Sequence, residues 1–276
     1  MRIITNTASS LTQEEGAQLG IHVIPVSVSI GGRSYRDYTD ISPEEFVSLL
    51  HENEMPSSSQ PSAGVILEQL KGSGEDTIML TVADGLSGEY MTAMGIRRNL
   101  PDRHRVHIIN SGTLAGPLRY MAVKAAALRS EGATTKEIVT QMMDCARSSI
   151  SYVIPADLQY LRKSGRISNL TSKIGGALHL LPVLTQTRDK TRITLMTVRR
   201  TWKASVSSIL SSMKEAGVDE NYLISVAYAD DRNLAERIRQ QVRDLFPRVD
   251  NEILQLSPSL IAHGGPGCIV LQAVHK

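Results

Sequence analysis

Cysteine is scarce in this chain, which has 276 residues and only two cysteines, Cys145 and Cys268. Neither lies in a C-x-x-C pair, which excludes a zinc ribbon and a thioredoxin-type redox motif. Two cysteines in a chain of this size do not make a disulfide framework, so we expect a reducing cytoplasm as the location. The histidines, His179 among them, show no H-E-x-x-H or other metal-ligand spacing. We therefore expect no metal site and no cofactor.

An excess of charge of one sign is also lacking. The chain has 30 basic and 28 acidic residues, for a formal net charge of +2. A nucleic-acid-binding protein normally shows a concentrated basic excess, so this balance gives no support to that class. The N-terminal residues 1–7 are too short and polar for a signal peptide, and no apolar run approaches the roughly 18 residues of a membrane span. We expect a soluble protein without stable membrane insertion, and a monomer by default.

Strand and helix patterns alternate through the first half of the chain. Residues 2–5 predict a buried strand, residues 12–19 predict a helix with Thr12 and Glu15 as a capping box, and residues 21–30 predict one long strand. The other predicted elements are strands at 77–82 and 106–109 and helices that begin near residues 43, 62, 88, 118 and 135. This alternation predicts an α/β fold with a parallel sheet covered on both faces.

After residue 150 the pattern becomes mixed. Two strand-like runs within residues 184–199 flank Arg188-Asp189-Lys190, which is a hairpin signal. Helices are predicted at 202–216 and 233–246, and strands at 222–228, 252–256 and 268–273. The sequence therefore predicts two domains, residues 1–150 with a parallel sheet and residues 151–276 with a mixed sheet.

The first of three polar clusters spans residues 57–62, S-S-S-Q-P-S, just ahead of a predicted helix. Hydroxyls and backbone N–H groups at the start of a helix form a site for an anion. A capped loop without a ligand explains the same residues, and the cluster alone favours that simpler interpretation.

The second cluster spans residues 84–88, D-G-L-S-G, between a strand and a helix. In a parallel sheet, this is the carboxyl end of a strand, where ligands usually bind. Ser87 is a candidate anion donor or nucleophile. It does not lie in the hydrolase elbow G-x-S-x-G, because Glu89 stands where the second glycine is required. No P-loop motif occurs in the chain.

The third cluster spans residues 263–267, H-G-G-P-G, beside a short apolar strand. Glycines let the backbone approach a ligand closely, and His263 can donate a hydrogen bond to an oxyanion. A tight turn with an exposed histidine is the alternative, and the sequence does not decide between them.

A basic, amphipathic segment, residues 158–168, interrupts the pattern near the predicted domain junction. It is either a partner-binding loop or a solvated connection.

Together these segments resemble the DegV family of bacterial proteins. The family stretches T-S-Q-P-S and L-S-G-T-Y are similar to residues 58–62 and 86–90, and a D-S-x-x-x-x-x-G segment is similar to residues 110–116. The run L-x-Y-L-x-K-x-G-R-I is matched by residues 158–167, and H-x-G-P-G by residues 263–267. Each match is weak alone, but five in order along the whole chain are specific.

The resemblance implies a fold of two domains, an N-terminal three-layer α/β/α parallel sheet and a C-terminal two-layer α/β mixed sheet. It also implies a long-chain fatty acid, such as palmitate or oleate, in a buried tunnel between them. Because the chain has only two Phe and one Trp, the tunnel wall should consist mainly of Leu, Ile, Val and Met.

The resemblance further implies roles for individual residues. In the family, hydroxyls of the first two motifs bind the carboxylate, with the histidine motif nearby. Carried onto this chain, the carboxylate-binding residues are Ser58, Ser87, Gly88 and His263, with Ser59 and Gly264 as additional contacts. Several family members present the fatty acid to a separate ATP-dependent kinase, which makes an acyl phosphate, and Arg166 of the G-R-I motif is the expected kinase contact. The protein would then be a lipid carrier and not an enzyme.

The chain departs from the family pattern in four places. Asn6 replaces the Asp of a D-S pair after the first strand, and Ser58 replaces a Thr but keeps the hydroxyl. Asp84 replaces a hydroxyl residue, and Glu89 replaces a Thr. Two acids near a carboxylate site weaken anion binding if they point inward, so we expect Asp84 and Glu89 to point to solvent.

Two other functions stay open. One is a hydrolase or transferase with Ser87 as nucleophile and His263 as base, which requires a hydrogen bond between them and an orienting acid that the sequence does not identify. The other is a regulatory module that senses a different small anion and has no kinase partner.

Overall fold

The computed structural model describes residues 1–52, 55–72, 74–167 and 180–276. Ser168, the last residue of the basic segment, and His179 lie outside these ranges. The strands are β1 Arg2–Asn6, β2 Ile21–Ile24, β3 Ser27–Ile30, β4 Arg33–Arg36, β5 Ser57–Ser59, β6 Thr77–Thr81, β7 Val106–Asn110, β8 Ile150–Ile154, β9 Leu181–Gln186, β10 Ile193–Arg199, β11 Tyr222–Tyr228, β12 Asp250–Gln255 and β13 Ile269–His275. The helices are α1 Gln13–Gln18, α2 Pro43–Glu52, α3 Ala63–Leu70, α4 Glu89–Arg98, α5 Ala115–Ser130, α6 Thr135–Ser148, α7 Leu158–Ser164, α8 Trp202–Glu215, α9 Arg232–Leu245 and α10 Pro258–Gly264.

Four parallel strands form the first sheet, in the order β2-β1-β6-β7. Successive residues of a strand point to opposite faces, and both faces of β6 are buried. Ile78 and Leu80 pack with α5 and α6 on one face, while Met79 packs with α3 and α4 on the other. Strands buried on both faces consist of continuous apolar runs. The predicted three-layer α/β/α arrangement is confirmed.

Six strands form the second sheet, in the order β10-β9-β8-β13-β11-β12, with only the β11–β12 pair parallel. Helices α8 and α9 cover one face, where Ile209 and Ile238 pack against Val226 and Leu271. The predicted mixed sheet with its helical layer is confirmed, and so is the hairpin, since β9 and β10 pair antiparallel.

Helix α5 lies between the two sheets. It packs on β1 and β6 of the first sheet and on β11 and β13 of the second. Gly116 makes this approach close, because a Cβ atom there would lie 2.2 Å from Ser225 Oγ on β11. The division at residue 150 stays a prediction: β8 begins there, but the shared helix joins the two halves.

Two predicted elements are corrected by the small antiparallel sheet β4-β3-β5. The predicted strand 21–30 is two strands, because Pro25, which lacks an N–H, separates β2 in the parallel sheet from β3 in the small one. Residues 57–59 are not a loop at a helix start but strand β5, in which Ser58 lies opposite Val28. The following helix has its own cap at Ser62.

The basic segment and the histidine cluster are also more ordered than the sequence predicted. Residues 158–164 form helix α7, which ends at Gly165 in the left-handed conformation with a φ of 71°. His263 lies in the last turn of helix α10 and is partly buried, so the alternative of an exposed histidine in a tight turn is wrong.

Candidate functional site

A cavity lies between the second sheet and the loops at the carboxyl ends of β1 and β6. Its apolar wall includes Val26, Leu86, Val153, Leu161, Leu256 and Val270. About 140 Å³ of the cavity is open to the centres of water molecules, so the space open to ligand atoms is larger. An apolar wall with a few polar groups is typical of a site for a small organic ligand.

Ser58 and His263 meet in the wall of this cavity, although 205 residues separate them. Ser58 Oγ and His263 Nε2 are 2.7 Å apart, within hydrogen-bond distance. Strand β5 alternates its side chains, which turns Ser58 toward the cavity and leaves its neighbours Ser57 and Ser59 exposed. The two predicted site residues therefore form one polar unit.

The imidazole of His263 is neutral near pH 7. Burial, together with the positive charge of Arg166, lowers the pKa of His263 to about 4. Since a neutral imidazole has one N–H, either His263 donates to Ser58 or Ser58 donates to His263.

Ser87 also lines the cavity, in the loop that follows β6, as the sequence predicted for the carboxyl end of a strand. Its Oγ accepts a hydrogen bond of 3.3 Å from the backbone N–H of Glu89. This bond orients the hydroxyl oxygen and leaves the hydroxyl hydrogen available to a ligand.

Three other predicted residues differ in their position. Gly264 lines the cavity beside Cys268. Ser59 points to the exposed face of β5, and Gly88 is exposed at the start of α4, so neither belongs to the cavity wall. Strand alternation and the turn into α4 place Ser59 and Gly88 outside the cavity wall, and carboxylate contacts of these two residues stay a prediction.

Arg166 is half-buried and forms part of the cavity wall. Its Nε donates to the carbonyl oxygen of Leu86 at 3.1 Å, and its Nη1 donates to the carbonyl oxygen of Ser164 at 2.8 Å. Burial lowers the pKa of the guanidinium. Among the described residues Arg166 has no ion pair with an acid, so its charge is available to an anion in the cavity.

The expectation that Glu89 points to solvent is wrong. Glu89 is fully buried, and its Oε2 accepts a hydrogen bond of 2.6 Å from Asn6 Nδ2 and one of 3.3 Å from the N–H of Val82. Asn6 and Glu89, two of the departures from the family pattern, are thus hydrogen-bond partners. The family pattern has a carboxylate at position 6, whereas here the carboxylate of this pair belongs to residue 89. Burial raises the pKa of Glu89 to about 7. Asp84 is half-exposed, and its backbone N–H donates to Asn110 Oδ1.

Asp37 supports the site but was not identified from the sequence. It is fully buried, accepts a hydrogen bond of 2.9 Å from Thr7 Oγ1 and one of 3.1 Å from the backbone N–H of Ser259. Ser259 lies in the first turn of α10. A carboxylate at this position accepts hydrogen bonds from free backbone N–H groups, and the helix dipole stabilises its negative charge. Asp37 therefore positions the helix that carries His263. Its contact with Ser259 spans 222 residues, so no local pattern could reveal it.

Two features are absent from the part of the chain that the structure describes. No group of three or more His, Cys, Asp or Glu side chains is arranged to hold a metal ion. In the same ranges, no helix has the length and apolar character needed to span a membrane.

Comparison with known proteins places this arrangement in a family. All of residues 1–276 match the model of an uncharacterised protein family, the DegV family. A DegV domain-containing protein from Staphylococcus aureus is 30% identical over 278 residues, which cover 99% of this chain and 98% of that protein. The chain belongs to the DegV family.

Solved structures of other DegV proteins have the same fold. A fatty-acid-binding DegV family protein from Thermus thermophilus superposes on this chain with a TM-score of 0.88. The two chains are 26% identical, and the superposition covers 100% of each. A stearic acid-binding protein from Eubacterium ventriosum superposes with a TM-score of 0.87 over 100% of this chain and 99% of that one. At 20% identity, this second likeness shows the fold alone.

The hydrolase hypothesis required a hydrogen bond between Ser87 and His263. In this DegV protein Nε2 of His263 is paired with Ser58, and no bond between Ser87 and His263 is present in the described ranges. An orienting carboxylate beside His263 would raise the pKa of the imidazole, whereas burial and Arg166 lower it. The geometry thus favours binding over nucleophilic catalysis by Ser87.

Proposed function

We propose that this DegV protein binds a long-chain fatty acid in the cavity, with the carboxylate at Ser58, Ser87 and Arg166. The observation that carries the proposal is the division of the cavity wall. Apolar atoms form most of its surface, while a hydrogen-bonded serine–histidine pair lies near an arginine that has no acidic partner among the described residues. An amphiphile with one anionic head group matches this division.

The head group is bound by a short chain of donors. When His263 carries its proton on Nε2, it donates to Ser58 Oγ, and the Ser58 hydroxyl hydrogen is free to donate to the carboxylate. Each hydrogen bond in such a chain polarises the next and strengthens it. Ser87 supplies a second hydroxyl, and Arg166 supplies charge.

The acyl chain provides the affinity. Burial of one methylene contributes roughly 0.8 kcal/mol, so about fourteen methylenes contribute on the order of 11 kcal/mol. Association costs roughly 4 kcal/mol or more in lost freedom. The surplus is enough for tight binding without a bidentate arginine clamp at the head group. Fatty acid binding by the Thermus thermophilus relative supports the same ligand class.

Native mass spectrometry of the purified protein, followed by organic extraction, tests the proposal. We expect one fatty acid per chain, and reduced lipid retention in Ser58→Ala, which removes the donor to the carboxylate. Ser59→Ala is the matched control, because Ser59 lies on the same strand but faces solvent. An empty protein that also takes up neither palmitate nor oleate would refute fatty acid binding.

We further propose that the protein is a carrier and that a separate ATP-dependent kinase acts on the bound lipid in the cytoplasm. A carboxylate oxygen attacks the γ-phosphorus of ATP held by the kinase, and the bond to the leaving ADP breaks, which gives an acyl phosphate. Arg166 is the proposed kinase contact, and it lies directly after helix α7, where Arg162 and Lys163 are exposed.

Hydroxamate trapping of the acyl phosphate, with a fatty acid kinase subunit and ATP, measures this step. Because Arg166 also lines the lipid site, product is measured per bound fatty acid, and we expect Arg166→Glu to reduce that ratio. Arg237→Glu is the matched control, since Arg237 is an exposed arginine on α9, across the second sheet from the cavity. Full activity of Arg166→Glu would exclude a kinase contact there. Absence of product with the native protein would favour the anion-sensing module.

A fluorophosphonate probe tests the alternative of a serine hydrolase. The 2.7 Å contact makes Ser58, rather than Ser87, the serine with a base beside it. We expect no labelling of either serine, because His263 has no orienting acid among its described neighbours. Stoichiometric labelling that is lost in Ser58→Ala would establish the hydrolase instead.

A further inference from the structure

A second polar cluster lies in the cavity wall, away from the Ser58–His263 pair. Its centre is Gln272 on β13, which is fully buried although its side chain is strongly polar. Ser151 on β8 lies directly opposite in the sheet, and Thr185 on β9 is next to it. All three residues line the cavity.

The sheet geometry gives the distance between the two polar groups. Cys268, Val270 and Gln272 line the cavity from alternate positions of one extended stretch. Cys268 contacts the end of α10, since a Cβ on Gly264 would lie 2.6 Å from its Sγ. Four residues of strand span roughly 13 Å. The Gln272 cluster therefore lies well along the cavity from the α10 end, at which His263 stands.

The amide of Gln272 has all its hydrogen-bonding groups satisfied by protein. Its Oε1 accepts from the N–H of Gly116 at 3.1 Å, and its Nε2 donates to the carbonyl oxygen of Leu114 at 3.0 Å and to Ser151 Oγ at 2.9 Å. Gly116 and Leu114 belong to the first turn of α5 and its N-cap. The amide is thus fixed to the helix that both sheets share, and it cannot turn aside without breaking buried hydrogen bonds.

We propose that Gln272 closes the far end of the acyl tunnel and sets the longest chain that the protein accepts. This inference rests on the proposed function. Up to the wall, each added methylene increases affinity roughly fourfold by burial. Beyond it, a further methylene must displace a satisfied polar cluster, and loss of one buried hydrogen bond reduces affinity on the order of tenfold. Affinity should therefore rise with chain length, reach a maximum and then fall.

Displacement titrations of the delipidated protein with saturated fatty acids of twelve to twenty carbons test the inference. Gln272→Ala removes four heavy atoms (Cγ, Cδ, Oε1 and Nε2) from the wall, and we expect the preferred length to increase by about two carbons. Gln272→Met is the matched control: it keeps the length of the side chain, which sets the position of the wall, and removes the hydrogen bonds that hold the side chain in place. The maximum should therefore stay where the native protein has it, while the fall in affinity beyond it should become shallower.

Three outcomes are distinguishable. A shift in Gln272→Ala but not in Gln272→Met supports the wall. An unchanged maximum in Gln272→Ala, or an equal loss of affinity for all chain lengths, overturns the inference while fatty acid binding stands. A native protein that binds none of the fatty acids overturns the proposed function itself. Circular dichroism of each variant shows whether it is folded. Gln272→Asn, which shortens the side chain by one methylene, provides a second test if Gln272→Ala does not fold: the maximum should move to a longer chain, and an unchanged maximum overturns the inference.

Discussion

The buried carboxyl group of Glu89 should make the stability of the protein depend on pH in a way that an ordinary surface acid does not. The residue is fully buried, and burial raises its pKa from 4.5 to about 7. A group with a raised pKa in the folded state binds its proton more tightly there than in the unfolded chain. Its contribution to stability is therefore fully present below pH 4.5 and is lost as pH rises through about 7.

The magnitude follows from the size of the shift. One pKa unit corresponds to about 1.4 kcal/mol, so the shift corresponds to a loss of about 3 kcal/mol of unfolding free energy across the window. Glu89→Gln has the same shape and cannot ionise, and its side-chain oxygen can still accept from Asn6 and Val82. Its unpaired N–H group gives an offset that does not depend on pH. Between pH 5 and pH 8 the variant should gain about 2–3 kcal/mol relative to the native protein.

Other groups titrate in the same range, which determines the design of the measurement. Burial raises the pKa of Asp37 to about 6, so its contribution to the stability of the protein is also lost as pH rises. The pKa of His263 is lowered to about 4, so its contribution to the stability of the protein is lost as pH falls from 6.5. Both are present in native protein and variant, so they cancel in the difference between the two.

Urea unfolding of the delipidated proteins at pH 5, 6, 7 and 8 gives that difference. Glu68→Gln is the control, because Glu68 is exposed on α3, and its difference from the native protein should stay flat. If the difference for Glu89→Gln is equally flat, Glu89 does not hold its proton more tightly in the folded protein, and the reasoning from burial is refuted.

Two further predictions concern the packing between elements. Gly116→Ala should destabilise the protein by about 1–3 kcal/mol, because the added Cβ would overlap Ser225. The control is Gly95→Ala on α4, where a Cβ meets nothing within 4 Å, and this variant should be more stable by up to about 1 kcal/mol. Equal effects of the two substitutions in thermal unfolding would contradict the close contact. Lys190→Met should lower the unfolding free energy by about 1–3 kcal/mol, because Lys190 Nζ donates to backbone carbonyls at the end of α6, Ser149 among them at 2.8 Å; an unchanged urea midpoint would show that solvent replaces these bonds.

Local signals account for most of what the sequence predicted correctly. Thr12 and Glu15 form the predicted capping box, and β11 spans the predicted residues 222–228. These features depend on residues close together in the chain, where spacing is informative. The boundaries of most helices follow for the same reason.

Long-range pairing accounts for what the sequence missed. Three consecutive serines, Ser57–Ser59, have low strand propensity and become β5 only because β3 provides a partner. The buried pair of Asn6 and Glu89 joins residues 83 positions apart, and each looks like a polar loop residue when considered alone. The motifs placed Ser58, Ser87 and His263 among the site candidates, and the fold brings them to one cavity, but no spacing in the chain revealed that Ser58 is the partner of His263.

The shared helix α5 has a consequence for how the molecule comes apart. One side of α5 is buried by the first sheet and another by the second, so neither half can leave without exposing apolar surface of the other. A chain cut near residue 150 should yield two fragments that aggregate or stay unstructured, rather than two folded modules. The protein should therefore unfold in a single cooperative transition, and the proposed lipid would enter through movement of the cavity rim rather than by separation of the halves.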